Sequence, residues 1–412
     1  MDDPMTRALA LAALLAVQDG PIPSPEPGWP QWRGPRRDGI SAETGLLPRW
    51  PDAGPRLLWK IDALGRGWSS PVFGGGRLYI TGDAGDEVAL HAFDLEGKPL
   101  WRAANGPAWK GPYPGARAAM AFSEGRLYHM NAHGRVACLD AASGREIWTV
   151  NVLERFEGTH ITWGLSECLL VDGPRLIVTP GGRKALLAAL DKTDGRTLWT
   201  TEALAGDTAT YASPILVRHG GRRLLISCSS RHGFGVDADT GRLLWTVPMK
   251  TPYDVNASTP VYGDGQVHFG TPYATIGCYR LLDGGARVER VWDTPFDTCT
   301  GSWILRDGVL YGGGYREFKH WIAVDWKTGR RRAELDALRS GSAVWADGRL
   351  YALGEDGRAA LVTPAAEGFS IAGSFSLTPR RVNDAWAHPV LLDGRLYLRY
   401  HDTLSCYDVR AP

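Results

Sequence analysis

The chain has little from which to build a metal or redox centre. Its six cysteines, at positions 138, 168, 228, 278, 299 and 406, are far apart, with no adjacent pair and no Cys-x-x-Cys. That spacing supplies neither a zinc ligand set nor a haem attachment site. Isolated buried thiols are expected, although export would permit disulfides. His-Glu-x-x-His and Gly-x-Ser-x-Gly are both missing, so zinc peptidase and α/β-hydrolase chemistry has no motif to rest on. An excess of one charge is lacking too. Forty-six Lys and Arg face 45 Asp and Glu, leaving a net charge of +1 and no field to hold a polyphosphate backbone. Nucleic acid is therefore not an expected partner.

Long hydrophobic runs are also absent. The apolar stretch in "MTRALALAALLAVQDG", which starts at Met5, is too short to span a bilayer, so no transmembrane segment is expected. One Arg ahead of that stretch makes residues 1–20 read as a secretory signal peptide, with a buried N-terminal helix as the other reading. "PIPSPEPG" (21 to 28) ends either one. No Cys lies near position 20, so lipid anchoring is not indicated.

The chain is instead rich in turn formers and in one aromatic residue: 51 Gly, 27 Pro and 17 Trp among 412 residues. Such a composition suits many short strands joined by tight turns. A turn followed by a strand recurs as "GGGRLYI" (74 to 80), "SEGRLYH" (123 to 129), "DGPRLIV" (172 to 178), "GGRRLLI" (220 to 226), "GDGQVHF" (263 to 269), "RDGVLYG" (306 to 312), "ADGRLYA" (346 to 352) and "LDGRLYL" (392 to 398). A second signal keeps step with it, as in "CLDAASGREIW" (138 to 148), "ALDKTDGRTLW" (189 to 199) and "GVDADTGRLLW" (235 to 245). Asp94, Asp140, Asp191, Asp237, Asp325 and Asp408 mark its acid, and Trp101, Trp148, Trp199, Trp245 and Trp292 its aromatic. Arg280 and Thr363 take the acid slot in the fifth and seventh units, and the Trp is replaced near Ala333 and Phe375.

Eight units of 40 to 50 residues with four short strands each predict an all-β, eight-bladed β-propeller, with seven blades as the alternative if the weak seventh unit is irregular. Asp accepts hydrogen bonds from turn amides, Gly144, Gly195 and Gly241 take positive φ, and the Trp covers the neighbouring blade. The last unit, ending in "LSCYDVRAP", is one strand short, while "PRLLWKI" (55 to 61) carries an orphan Trp59. The N-terminal strand should complete the eighth blade and remove an exposed sheet edge. The organisation expected is a signal peptide over 1–20, an extension over 21–54 that lies across the ring, and one propeller over 55–412.

The pattern small-x-Asp-x-x-x-Gly-x-x-x-Trp resembles the tryptophan-docking repeat of pyrroloquinoline quinone dehydrogenases. It is similar, too, to their non-catalytic relatives, among them the lipoprotein of the outer-membrane β-barrel assembly machinery. "WPQWRGPRRDGIS" (29 to 41), "WGLSECLLVDGPRLIVTPGG" (163 to 182) and "WAHPVLLDGRLYLRYHDTLSCYDV" (386 to 409) look like the quinoprotein-like propellers abundant in planctomycete genomes. The resemblance places Cys138, Cys278 and Cys406 where other units have Ala, as small strand residues. It also implies what a quinone enzyme would need: calcium held by carboxylate and amide oxygens, a catalytic Asp, and commonly an adjacent cysteine pair.

No such cysteine pair exists, so no cofactor is expected, and pyrroloquinoline quinone with calcium is kept as the alternative. The favoured reading is an exported, monomeric, non-catalytic platform that presents its loop face to a protein, peptide or glycan. A quinone- or metal-dependent oxidoreductase is the alternative. The loops leading into the innermost strands are polar and aromatic, and could bring Trp68, Arg117, His160, Trp163, Glu167, Tyr211, Asn256, Arg339, Asp384, Trp386 and His388 to a central funnel. The competing reading has their polar groups capping strands and their aromatics packing between blades. Glu167 with His160, and Asp384 with His388, are the acid/base pairs this expectation offers.

Overall fold

Each repeat folds as an antiparallel sheet whose outer hairpin is shaped by its Asp. In the second unit Asp140 Oδ1 accepts from the Ser143 amide at 2.9 Å and from its hydroxyl at 2.7 Å. Asp191, Asp237 and Asp325 hold their turns in the same way. The outer strand then bulges one residue before the Trp. Across Arg135–Asp140 and Glu146–Asn151, Trp148 pairs with Cys138 and Glu146 with Leu139, so Ile147 is left unpaired. The same skip precedes Trp59, Trp101, Trp199, Trp245 and Trp292. A bulge re-aims a side chain, and here it turns each indole toward the next blade.

The residue directly opposite each Trp is Ala92, Cys138, Ala189, Gly235, Cys278 or Cys406. This pairing explains the small residue two positions before the Asp slot: a larger side chain would meet the indole. All six cysteines are buried and free.

The indole lands on the next blade's turn. Trp101 donates to the Ala141 carbonyl at 3.1 Å, Trp148 to Lys192 at 3.1 Å, Trp245 to Gly285 at 3.1 Å and Trp292 to Trp326 at 2.9 Å. Gly144 combines a φ of 72° with a Cβ position only 2.6 Å from the Trp101 ring, so both its backbone and its bareness are required.

The computed structural model describes residues 18–249, 251–301, 303–366 and 368–412. Residues 1–17, which hold most of the expected signal peptide, lie outside the described residues. Eight sheets form the ring, each running from an innermost strand (Val72–Gly74, Ala121–Ser123, Leu170–Asp172, Ile215–His219, Val261–Gly263, Ile304–Arg306, Gly341–Ala346, Val390–Leu392) to an outer one. The eight-bladed expectation holds. The seventh blade is regular in strand number despite its decayed motif, with Phe375 standing edge-on to Tyr407 at 5.0 Å in place of a docked Trp.

Closure occurs as expected. Arg56–Ile61 pairs antiparallel with Thr403–Asp408, and Trp59 docks on the first blade, donating to the Leu95 carbonyl at 3.2 Å. The fourth blade gains a fifth strand, Gly20–Pro21, at its inner edge.

Between those two strands the chain crosses the ring on the side of the inner hairpin turns. The Trp29 and Pro30 carbonyls accept from Phe73 and Phe122, Arg33 donates to the Trp303 carbonyl, and Arg37 donates to Cys168 and Leu169. Gly39, Ile40 and Ser41 run along Trp345. The segment thus ties the first, second, third, sixth and seventh blades together and closes one mouth of the channel. None of the described helices is long and apolar enough to cross a membrane.

Candidate functional site

The opposite mouth stays open as a funnel of about 390 Å³. Its floor comes from the crossing segment: Trp32 meets His388 edge-on at 5.0 Å, and the Arg33 and Arg37 guanidinium groups lie 5.6 and 5.7 Å from the Trp32 ring centre. Both arginines are buried and donate only to carbonyls and the Gln31 amide oxygen. Burial pulls each down to about 10, still charged at neutral pH.

The walls are aromatic. Trp68 and Trp386 lie 5.0 Å apart, Tyr113 is 5.4 Å from Trp386, Trp163 is 5.9 Å from Tyr211, and Tyr273 is 5.8 Å from Tyr315. Trp68 is held by a 2.9 Å bond to the Asp384 carbonyl, and Trp386 by a 3.0 Å bond to Glu355 Oε1. Arg117 lies 5.4 Å over Trp68, lowered to about 10 by desolvation, and donates to the Gly115 carbonyl at 2.7 Å. Arg316 lies 5.4 Å over Tyr315 and 6.0 Å over Tyr273. Four backbone amides, from Tyr315 to Phe318, converge on the buried Asp297 carboxylate at 2.9 to 3.2 Å and fix this part of the rim.

Three rim tyrosines, Tyr113, Tyr253 and Tyr273, each follow a proline and hold φ values of 54°, 66° and 61°. Left-handed backbone at a bulky residue costs on the order of 1–2 kcal/mol, and such strain concentrates at functional sites. Tyr253 is 78 % exposed, so its own packing does not offset the strain.

Of the residues expected at the funnel, Trp68, Arg117, Trp163, Tyr211, Trp386 and His388 line it. Arg339 and Asp384 line a smaller adjoining depression, where Asp384 pairs with Arg381. Glu167 and Asn256 stand behind the wall. Glu167, 2 % exposed and raised to about 7 by desolvation, accepts from the Thr179 amide and hydroxyl at 2.9 and 3.1 Å. Asn256 caps the Ser229 and Ser230 carbonyls at 2.9 and 3.0 Å. His160 is exposed, packed on His133 away from the funnel.

Neither expected acid/base pair forms, because each acid is taken by a local partner and burial keeps His388 neutral, lowered to about 3. The aromatics missed from sequence are Trp32, Tyr113, Tyr253, Tyr273 and Tyr315. The Pro-Tyr dipeptide, at 112–113, 252–253 and 272–273, was a signal that could have found three of them.

A calcium–quinone pair fits this lining poorly. Among the described residues no Asp or Glu lines the funnel and no metal-holding cluster occurs, and the two thiols there, Cys168 and Cys299, come from different blades and are free.

Eight blades, tryptophan-docked at most junctions, around a blind aromatic funnel define a propeller of the pyrroloquinoline quinone-like class. The chain belongs to the family of the outer membrane protein assembly factor BamB, whose sequence profile matches residues 86–334. It is similar to a 1-butanol dehydrogenase (quinone) of Thauera butanivorans, 24 % identical over 68 % of this chain and 43 % of that protein. It is also similar to the BamB of Yersinia pestis, 22 % identical over 61 % of each. The chain therefore spans less than two thirds of either relative. Among solved structures, a quinohemoprotein alcohol dehydrogenase from Comamonas testosteroni superposes with a TM-score of 0.68 at 15 % identity, over 93 % of this chain and 81 % of that one, a likeness of fold alone.

Proposed function

We propose that this protein is an exported, non-catalytic binding platform, monomeric in solution, that engages a protein, peptide or glycan through the funnel face. The observation that carries the reading is the lining: aromatic faces and two arginines converge on a blind cavity without a carboxylate. Aromatic rings give large contact area with few torsions to freeze, which suits recognition. Proton transfer would need a titratable group free in the cavity. The imidazole present, His388, is held neutral by burial, and Glu167 is committed to Thr179. Membership in the BamB family, named for outer membrane protein assembly, supports both the platform and its export.

The second reading, a quinone-dependent oxidoreductase using the same funnel, is supported by the similarity to the Thauera dehydrogenase. The test is reconstitution of the full chain with pyrroloquinoline quinone and calcium, read by quinone absorbance and melting temperature. No absorbance and no thermal shift are expected, together with loss of partner capture in Trp163→Ala and Trp386→Ala. A stoichiometric quinone signal would overturn the platform.

A further inference from the structure

The funnel's chemistry narrows what it can hold. Four positive charges surround it: Arg117 and Arg316 on the wall, Arg33 and Arg37 under the Trp32 floor. The acids around it are engaged or set behind its lining. Glu167 is buried against Thr179, Asp297 is consumed by four amides, Asp83 is buried near Arg117, and Glu355, in the adjoining depression, accepts from the Trp386 indole and the Thr300 hydroxyl. A cavity with cations, no lining carboxylate and low-dielectric walls favours an anion.

The walls are equally specific. Rings at differing tilts, such as Trp68 against Trp386 at 34° and Trp163 against Tyr211 at 63°, offer flat apolar faces in several directions. Ser166, Ser213 and Thr300 also line the funnel, their hydroxyls bonded to the Tyr211 carbonyl, the Cys168 amide and Glu355. His388, 6 % exposed, lines the floor, and its buried Nδ1 has no hydrogen-bond partner. A pyranose has this same pattern, with apolar C–H faces and a hydroxyl-bearing edge. Because the crossing segment closes the floor, a chain can enter by its end but cannot thread through.

We propose that the funnel receives the terminal rings of an acidic sugar chain, with the carboxylate or sulfate ester of the sugar paired to Arg316 and Arg117. The inference rests on the platform reading and gives its ligand a chemical class. Hydrolysis is not part of it, since glycoside cleavage generally takes two facing carboxylates and the lining holds none.

The full chain would be titrated by calorimetry and tryptophan fluorescence with trigalacturonate, a sulfated galactotriose, neutral galactotriose and a pentapeptide with a free C-terminal carboxylate. At least one acidic sugar is expected to bind and quench, and the two acidic arms tell carboxylate from sulfate. Arg316→Gln, at an exposed site that leaves the fold intact, should weaken that binding roughly tenfold or more while changing galactotriose little. Tyr253→Gly, which also relieves the left-handed backbone, should weaken it without lowering stability. Equal binding of galactotriose, an unchanged affinity in Arg316→Gln, or binding of the peptide alone would each overturn the proposal. Failure of every sugar while Trp163→Ala still loses partner capture overturns this inference and leaves the platform standing; a quinone signal on reconstitution removes both.

Discussion

Arg33 Nη2 donates to the Trp303 carbonyl at 2.6 Å, joining residues 270 apart in the chain and pinning the funnel floor to the sixth blade. Arg37 does the same at the third blade, through Cys168 at 2.7 Å and Leu169 at 3.0 Å. Arg37→Met keeps most of the apolar stem but leaves two buried carbonyls without a donor. A loss of ~2–3 kcal/mol is expected in chemical denaturation, with faster proteolysis within residues 24–50. An unchanged cleavage rate there would mean that the crossing segment is held by its other contacts.

The docking of indoles on glycines can be separated from turn strain. Gly144 and Gly125 share a φ of 72°, but a Cβ would lie 2.6 Å from Trp101 at Gly144 and meet nothing within 4 Å at Gly125. Gly125→Ala should cost ~1 kcal/mol from backbone alone, and Gly144→Ala ~1–3 kcal/mol more, because the indole must leave its seat. Equal losses in the two variants would remove docking from the account.

Asp297→Asn replaces a carboxylate that takes four amides with a group that has one acceptor oxygen. Amide exchange should quicken at residues 315–318 but not in the strands Ile304–Arg306 and Val309–Gly313, at a stability cost of ~1–3 kcal/mol. Uniform exchange across the sixth blade would show instead that Asp297 supports the whole sheet.

His268 is buried between Trp292 and Trp303 with neither ring nitrogen partnered, and desolvation lowers it to about 3. The unfolded chain then binds more protons than the folded one between about pH 6.5 and 3. Stability must therefore fall as pH drops through that window. His129 and His388, each lowered to about 3 by burial, act in the same direction. His268→Phe removes one such group. The variant's melting temperature should exceed the parent's, by a margin equivalent to ~2 kcal/mol more at pH 5 than at pH 8. A margin independent of pH would place the acid sensitivity elsewhere.

The funnel was half legible. Trp68, Arg117, Trp163, Tyr211, Trp386 and His388 were found because a propeller's inner-strand loops open onto its axis, a rule that needs only the repeat's phase. Tyr273, Tyr315 and Arg316 were missed because they sit on the hairpins between second and third strands, which the same phase assigns to the rim only once their lengths are seen in space. His160 and Glu167 were misplaced for a different reason. A loop's direction depends on the hydrogen bonds it finds, and Glu167 found Thr179.

The sequence by itself determined the repeat period, the closing strand and the docking pattern. These rest on interactions within one hairpin or between successive ones, so they repeat with the chain and can be read from it. Only the tertiary structure decided that the funnel is blind, electropositive beneath its floor and free of carboxylates. Those properties come from residues hundreds of positions apart, Trp32 against His388 and Arg33 against Trp303, whose meeting depends on where a non-repeating segment crosses the ring.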